Sequence, residues 1–248
     1  MSTANPARAH LFGVDIDAVT MDETVDMVMR CIDDGQQVQH VVLNAAKIVA
    51  MSKDAALREV IAACPIVNAD GMSVVVASRL LRQPLPERVA GIDLFVRLVE
   101  RAADTGHRVY FLGARDEVLD AMVRKFRTQY PTLDIAGYRN GYWTDDDEVV
   151  AEVCRSKADL LFLAIPSPRK EFWLASNLAP LGTPFAMGVG GSFDVVAGTI
   201  KRAPVWVQKV GCEWVYRLAQ EPRRMWKRYL VGNTTFIWLT FREMLRRP

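Results

Sequence analysis

The sequence predicts an α/β fold, with a Rossmann-like, mainly parallel sheet, helices on both faces, and a helical C-terminal appendage. Three observations carry this. Apolar runs alternate with stretches of helical period along the first 200 residues, which is the mark of strand–helix–strand units. Several of those runs are continuous rather than alternating, as strands buried on both faces are. The chain has 248 residues, of which 50% are hydrophobic and 24% charged; this allows a sizeable core and rules out disorder as the dominant state.

Strands are predicted over 10–16, 38–43, 66–68, 108–112, 134–138, 159–165 and 184–189. Helices are predicted over 21–33, 47–62, 73–82, 93–104, 117–129, 145–156 and 170–179. Thr20 is placed to cap the first helix, with Glu23 completing a capping box. A helix over about 206–220, a break at Pro222 and a second helix follow. The expected organisation is an α/β domain over 1–200 and an appendage over 201–248.

Charge divides the chain at the same point. Residues 201–248 hold eleven Lys/Arg against three acids, a balance of +8, and residues 1–200 carry −6. A basic tail on a mildly acidic body is expected to meet phosphates, whether of nucleic acid, an anionic membrane surface or a phosphorylated substrate. Trp206, Trp214, Trp226 and Trp238 place four of the six tryptophans there, which favours a membrane–water interface over nucleic acid. The uncharged run 229–241 has 13 residues, short of the roughly 20 that span a bilayer. It reads as an interfacial anchor, or alternatively as a helix packed on the body with a basic face outward. The start of the chain shows no apolar signal segment. Cys31, Cys64, Cys154 and Cys212 lie far apart without a CxxC pair, which fits a reduced, cytosolic compartment rather than a zinc cluster or disulfide scaffold.

In open parallel sheets ligands bind beyond the carboxyl ends of the strands. Four such ends carry polar or glycine clusters: Asn44 with Lys47, Asn68-Ala69-Asp70-Gly71, Gly113, and Gly188-Val189-Gly190-Gly191. Asp70, after an apolar strand and before glycine, is suited to take a proton from a hydroxyl; Asp-Gly is also a common turn pair. Asp93 and Asp194 each read equally well as helix N-caps. Arg88, Arg202, Arg223, Arg224 and Arg228 have the fork that fits phosphate. A dinucleotide fingerprint fails because Phe193 stands where GxGxxG needs glycine, no GxxxxGK[ST] loop exists, and three histidines supply a triad or metal site poorly.

The order of motifs resembles a known family. The landmarks are Leu43-Asn44-Ala45-Ala46-Lys47, Asn68-Ala69-Asp70-Gly71, Arg88-Val89-Ala90-Gly91-Ile92-Asp93-Leu94, Phe111-Leu112-Gly113, Gly137 with Gly141-Tyr142, and Ser167-Pro168-Arg169-Lys170-Glu171. Gly188 through Asp194, Lys201-Arg202-Ala203-Pro204 and Glu213 through Arg224 complete them. Over about residues 11–230 the chain is similar to the WecG/TagA/CpsF glycosyltransferases. The resemblance implies an inverting enzyme with no metal and no cofactor. It would move N-acetylmannosamine, its uronic acid or another hexose from a UDP-sugar to a sugar on undecaprenyl diphosphate. It would work as a peripheral protein on the cytoplasmic face of the inner membrane, with homo-oligomer formation left open. The family's catalytic acid falls on Asp70, as general base. Substrate contacts fall on Asn44, Lys47, Asn68, Gly71, Arg88, Asp93, Gly113, Lys170, Glu171, Gly190, Asp194 and Arg202, and diphosphate contacts on Arg217, Arg223, Arg224 and Arg228.

Two departures bear on the donor. Many members have Thr-x-Asn where Val42-Leu43-Asn44 stands, and Pro-x-Gln-Glu where Pro168-Arg169-Lys170-Glu171 stands. Lysine replaces an amide that donates and accepts with a cation that only donates. Rival readings are a dehydrogenase-type nucleotide enzyme, a non-catalytic membrane module and a nucleic-acid binder.

Overall fold

A computed structural model describes residues 7–204, Val207, Val215, Tyr216 and 222–246, with the side chains of 222–231 left out. Six parallel strands form the main sheet in the order β4-β3-β8-β7-β5-β6. They are β3 (Val38–Leu43), β4 (Ile66–Ala69), β5 (Arg108–Gly113), β6 (Asp134–Arg139), β7 (Leu160–Ala164) and β8 (Phe185–Gly188). β3 sends the chain outward to β4, and β5 sends it outward to β6, so β8 and β7 fill the centre. All six carboxyl ends therefore open on one edge. Every residue of β3, β4 and β7 is buried; β7 accordingly reads as an unbroken apolar run, while β3 and β4 carry the buried polar side chains Gln39, His40 and Asn68, each hydrogen-bonded.

Helices cover both faces. One face carries α1 (Met21–Asp33), α5 (Gly91–Thr105), α6 (Asp116–Gln129) and α9 (Ser192–Ala197), packed in one core cluster. Phe95 of α5 sits at its centre, edge-on to Phe111, Phe126 and Phe162. The other face carries α2 (Ala45–Met51), α3 (Ala55–Ala62), α4 (Met72–Leu80), α7 (Asp146–Ser156) and α8 (Arg169–Leu181). The capping box at Thr20 forms in full.

Four expectations change. The strand 10–16 is a hairpin, β1 (Arg8–Leu11) and β2 (Val14–Asp17), turning at Phe12 and Gly13, both at positive φ as a two-residue primed turn requires. The helix 47–62 is two helices, because Asp54 leaves helical backbone and caps α3 by accepting from Leu57 N–H at 3.0 Å. Helix α9 was not expected. Asp93 and Asp194 are not N-caps: Ala90 and Gly191 hold those positions, and both acids lie in the first turn, where the helix dipole favours them.

The hairpin covers the β4 edge of the sheet. Asp17 is buried there, accepting from Val67 N–H and Arg8 Nε at 2.7 Å each. The final helix, α10 (Pro222–Arg246), packs on α2 through Phe236 and Leu239. Glu243 accepts the Phe12 N–H at 3.0 and 3.1 Å, and the Phe12 and Phe236 rings lie 5.5 Å apart. Among the described residues no helix is long and apolar enough to cross a membrane. The expected helix over 206–220 lies almost wholly outside the described residues.

Candidate active site

Asn44, Lys47, Asp70, Arg88, Lys170 and Glu171 lie near the carboxyl edge of the sheet. Asp70 follows β4 directly, and its backbone N–H continues the ladder to Leu43 O at 2.8 Å. Its carboxylate accepts from Gly91 N–H, the first residue of α5, at 3.2 Å. Arg88 Nε donates to the Asp70 carbonyl at 2.6 Å, and a second guanidinium nitrogen lies 4.0 Å from the carboxylate. The acid remains 28% exposed, so it is oriented by backbone and arginine yet accessible from outside. Gly91 was not among the residues read as functional; the signal was a glycine opening a helix three residues after Arg88.

Asn44, at the end of β3, caps α2 by accepting from Lys47 N–H at 3.0 Å. Gly71 lies against it, since a Cβ there would stand 3.5 Å from Asn44 Cβ. Lys47 itself is buried and forms a 2.7 Å ion pair with buried Glu171 at the start of α8. Burial works to raise the Glu171 carboxyl, but Lys47 and Lys170 outweigh it and hold it below its usual range. Lys170 donates to Gly188 O at 3.0 Å. Burial, then the like charge of Lys47, push its ammonium down to about 8. Outside this pair Arg169 stacks over Trp143 at 5.5 Å, while Trp143 and Trp173 both donate to Asp146 Oδ1, at 2.5 and 2.8 Å.

Asn68 takes a different place. Its side chain is fully buried beneath the edge, accepting from His40 Nε2 at 2.8 Å and donating to Thr24 Oγ1 at 3.2 Å; Thr24 in turn donates to Thr20 O. It braces β3, β4 and α1 and does not reach the cleft. His40, buried, is pushed down to about 4, with burial the main cause, and its Nδ1 has no partner among the described residues.

Asp93 and Arg202 meet each other in a bidentate fork, at 2.5 and 2.8 Å. Gly113 ends β5 at φ +117°, where a Cβ would stand 2.5 Å from Ala164 O, so only glycine permits that close approach. Gly190 turns the chain after β8 at φ +55° beside Lys170, and Asp194 is half-buried on α9. Arg217 lies outside the described residues, as do the side chains of Arg223, Arg224 and Arg228. Among the described residues no group of three His, Cys, Asp or Glu side chains is arranged to hold a metal ion.

A doubly wound α/β protein with its polar residues gathered along the carboxyl edge is the class that fold and site define. The sequence matches the Glycosyl transferase WecG/TagA/CpsF family over residues 9–248, and the chain belongs to that family. It is 37% identical over 171 residues to a Bacillus spizizenii protein, covering 69% of this chain and 66% of the relative. A Bacillus subtilis protein is 36% identical over 181 residues, 73% and 70%. One from Staphylococcus aureus is 31% identical over 228 residues, 91% and 88%. All three relatives are described as N-acetylglucosaminyldiphosphoundecaprenol N-acetyl-beta-D-mannosaminyltransferases.

Proposed function

We propose that the chain is an inverting glycosyltransferase that uses a UDP-sugar donor and a polyprenyl-diphosphate-linked sugar acceptor. The observation that carries this is Asp70: a carboxylate fixed at a strand end by Gly91 and Arg88 that stays partly exposed at the carboxyl edge of the sheet. The relatives' described activity supports the acceptor class. Asp70 takes the proton of the acceptor hydroxyl. The freed oxygen pair attacks the anomeric carbon from the face opposite the nucleotide, the bond to the diphosphate breaks, and UDP leaves with its electron pair. The configuration inverts. Cationic side chains stabilise the departing diphosphate without a bound metal; Arg217, Arg223, Arg224 and Arg228 are assigned to the acceptor's diphosphate.

The reading includes peripheral attachment at the cytoplasmic face of the membrane through residues 201–248. Its support is a stripe on α10: Ile237, Trp238, Phe241, Met244 and Leu245 are exposed at helical spacing, with Arg242 stacked 4.8 Å over Trp238. Asn44, Gly71, Arg88, Asp93, Gly113, Gly190, Asp194 and Arg202 frame the donor. The transferred sugar is N-acetylmannosamine, its uronic acid or another hexose. A panel of UDP-sugars offered with a short-chain polyprenyl-diphosphate sugar, read by mass spectrometry, tests the reading. One added sugar residue with released UDP is expected; no product with any donor rejects it.

A further inference from the structure

Lys47 and Lys170 share one buried carboxylate, Glu171. Lys47 takes it at 2.7 Å, whereas Lys170 Nζ stands 3.9 Å away, too far for a hydrogen bond. Lys170 Nζ donates instead to Gly188 O at 3.0 Å. An ammonium has three N–H donors, so two are left without an acceptor among the described residues. A glutamine amide could donate the same bond to Gly188; what lysine adds is the charge.

That charge is poorly placed for stability alone. The side chain is 11% exposed, and an ammonium taken out of water is costly unless it is paired. Two ammonium groups, Lys47 and Lys170, share the single buried carboxylate of Glu171, and Lys47 holds it the closer. The tip of Lys170 borders the Gly190 turn, where a Cβ would lie 3.5 Å from Nζ, so the spare donors lie beside the glycine-rich end of β8 and within the electrostatic reach of Asp70.

We propose that Lys170 is an anion-binding residue of the cleft, whose spare N–H donors take an oxyanion of the donor substrate, either a diphosphate oxygen or a carboxylate on the transferred sugar. The proposal rests on the glycosyl-transfer reading only for the identity of the ligand.

The test is calorimetric titration of the full chain and of Lys170→Gln with inorganic pyrophosphate, UDP, UDP-glucose and UDP-glucuronic acid. A diphosphate contact weakens all four in the variant, by about ten- to a hundredfold; a carboxylate contact weakens UDP-glucuronic acid alone. Either result supports the proposal and selects the oxyanion, while equal binding of all four by both proteins overturns it. The wild-type pH profile needs no variant. The groups facing Lys170 are Lys47 on α2, Glu171 on α8 and Asp70 after β4, and of these Lys170 loses its proton near 8. Affinity therefore falls between pH 7 and 9, and a flat profile overturns the proposal even if Lys170→Gln fails to fold. A wild-type protein that binds pyrophosphate but no UDP compound sinks the donor reading and leaves Lys170 as an anion site. One that binds none of the four sinks both.

Discussion

Arg202 grips both carboxylate oxygens of Asp93, at 2.5 and 2.8 Å, across 109 positions of chain. The fork ties the segment leaving α9 to the first turn of α5, the same turn whose Gly91 N–H holds the Asp70 carboxylate. Both side chains are partly exposed, so the pair is worth little in stability. A double-mutant cycle with Asp93→Ala and Arg202→Ala, read by urea unfolding, is expected to give a coupling of about 0.5–1 kcal/mol. A coupling of zero would mean that the fork does not persist in solution.

Asp70→Asn keeps an oxygen for Gly91 N–H and removes the proposed proton acceptor. The fold should survive, with turnover reduced about a hundred- to ten-thousandfold. Near-wild-type turnover in a folded variant would reject Asp70 as the base and favour a non-catalytic role.

Glu171→Gln strands two ammonium groups, Lys47 and Lys170, without their shared carboxylate. Removing one partner of a buried pair costs about 3–5 kcal/mol. The double change Lys47→Met with Glu171→Leu should recover part of that, because it removes the 2.7 Å pair together and leaves only Lys170 without its carboxylate. Denaturant midpoints compare the three proteins; a Glu171→Gln variant as stable as wild type would contradict the burial of the pair.

His40 sets a pH dependence. Its folded value is pushed down to about 4 from an ordinary 6.5, so between those values the unfolded chain binds the proton and the folded one does not. Stability from this group is complete above pH 6.5 and is lost as pH falls toward 4, by roughly 3 kcal/mol at most. Subtracting the profile of His40→Gln, whose amide can still donate to Asn68, isolates the effect. Parallel wild-type and variant curves from pH 4 to 6.5 would refute it.

The stripe on α10 lets the proposed membrane contact be tested apart from folding. Phe236 and Leu239 face the body, whereas Trp238, Phe241 and Leu245 face outward. Changing the latter three to Ser should lower binding to anionic vesicles at least about tenfold while leaving thermal unfolding nearly unchanged. Undiminished vesicle binding would remove α10 from the membrane contact.

The centre of the sheet was legible because β5, β7 and β8 are almost wholly buried and write themselves as apolar runs, and the boundaries of α1 were legible because Thr20 and Glu23 form a local signal. What stayed hidden depends on single local choices or on distant approach. Asp54 looks like any polar residue within a helical period until its backbone leaves the helix, and Phe12 gives no hint that it will turn a hairpin. The sequence placed Asn44, Lys47, Asp70, Gly113 and Gly190 near strand ends, but not which groups would meet. Arg202 with Asp93 and Lys47 with Glu171 are pairings made by packing over more than 100 positions, and Asn68 turned inward because His40 and Thr24 wait beneath it.

Phe12 occupies a left-handed backbone position, uncommon for a bulky residue, and the group that satisfies its amide is Glu243, near the far end of the chain. During synthesis the turn precedes this carboxylate by 231 positions. Until Glu243 is made the Phe12 amide has only water to donate to, so the hairpin and α10 reach their final hydrogen bonding together.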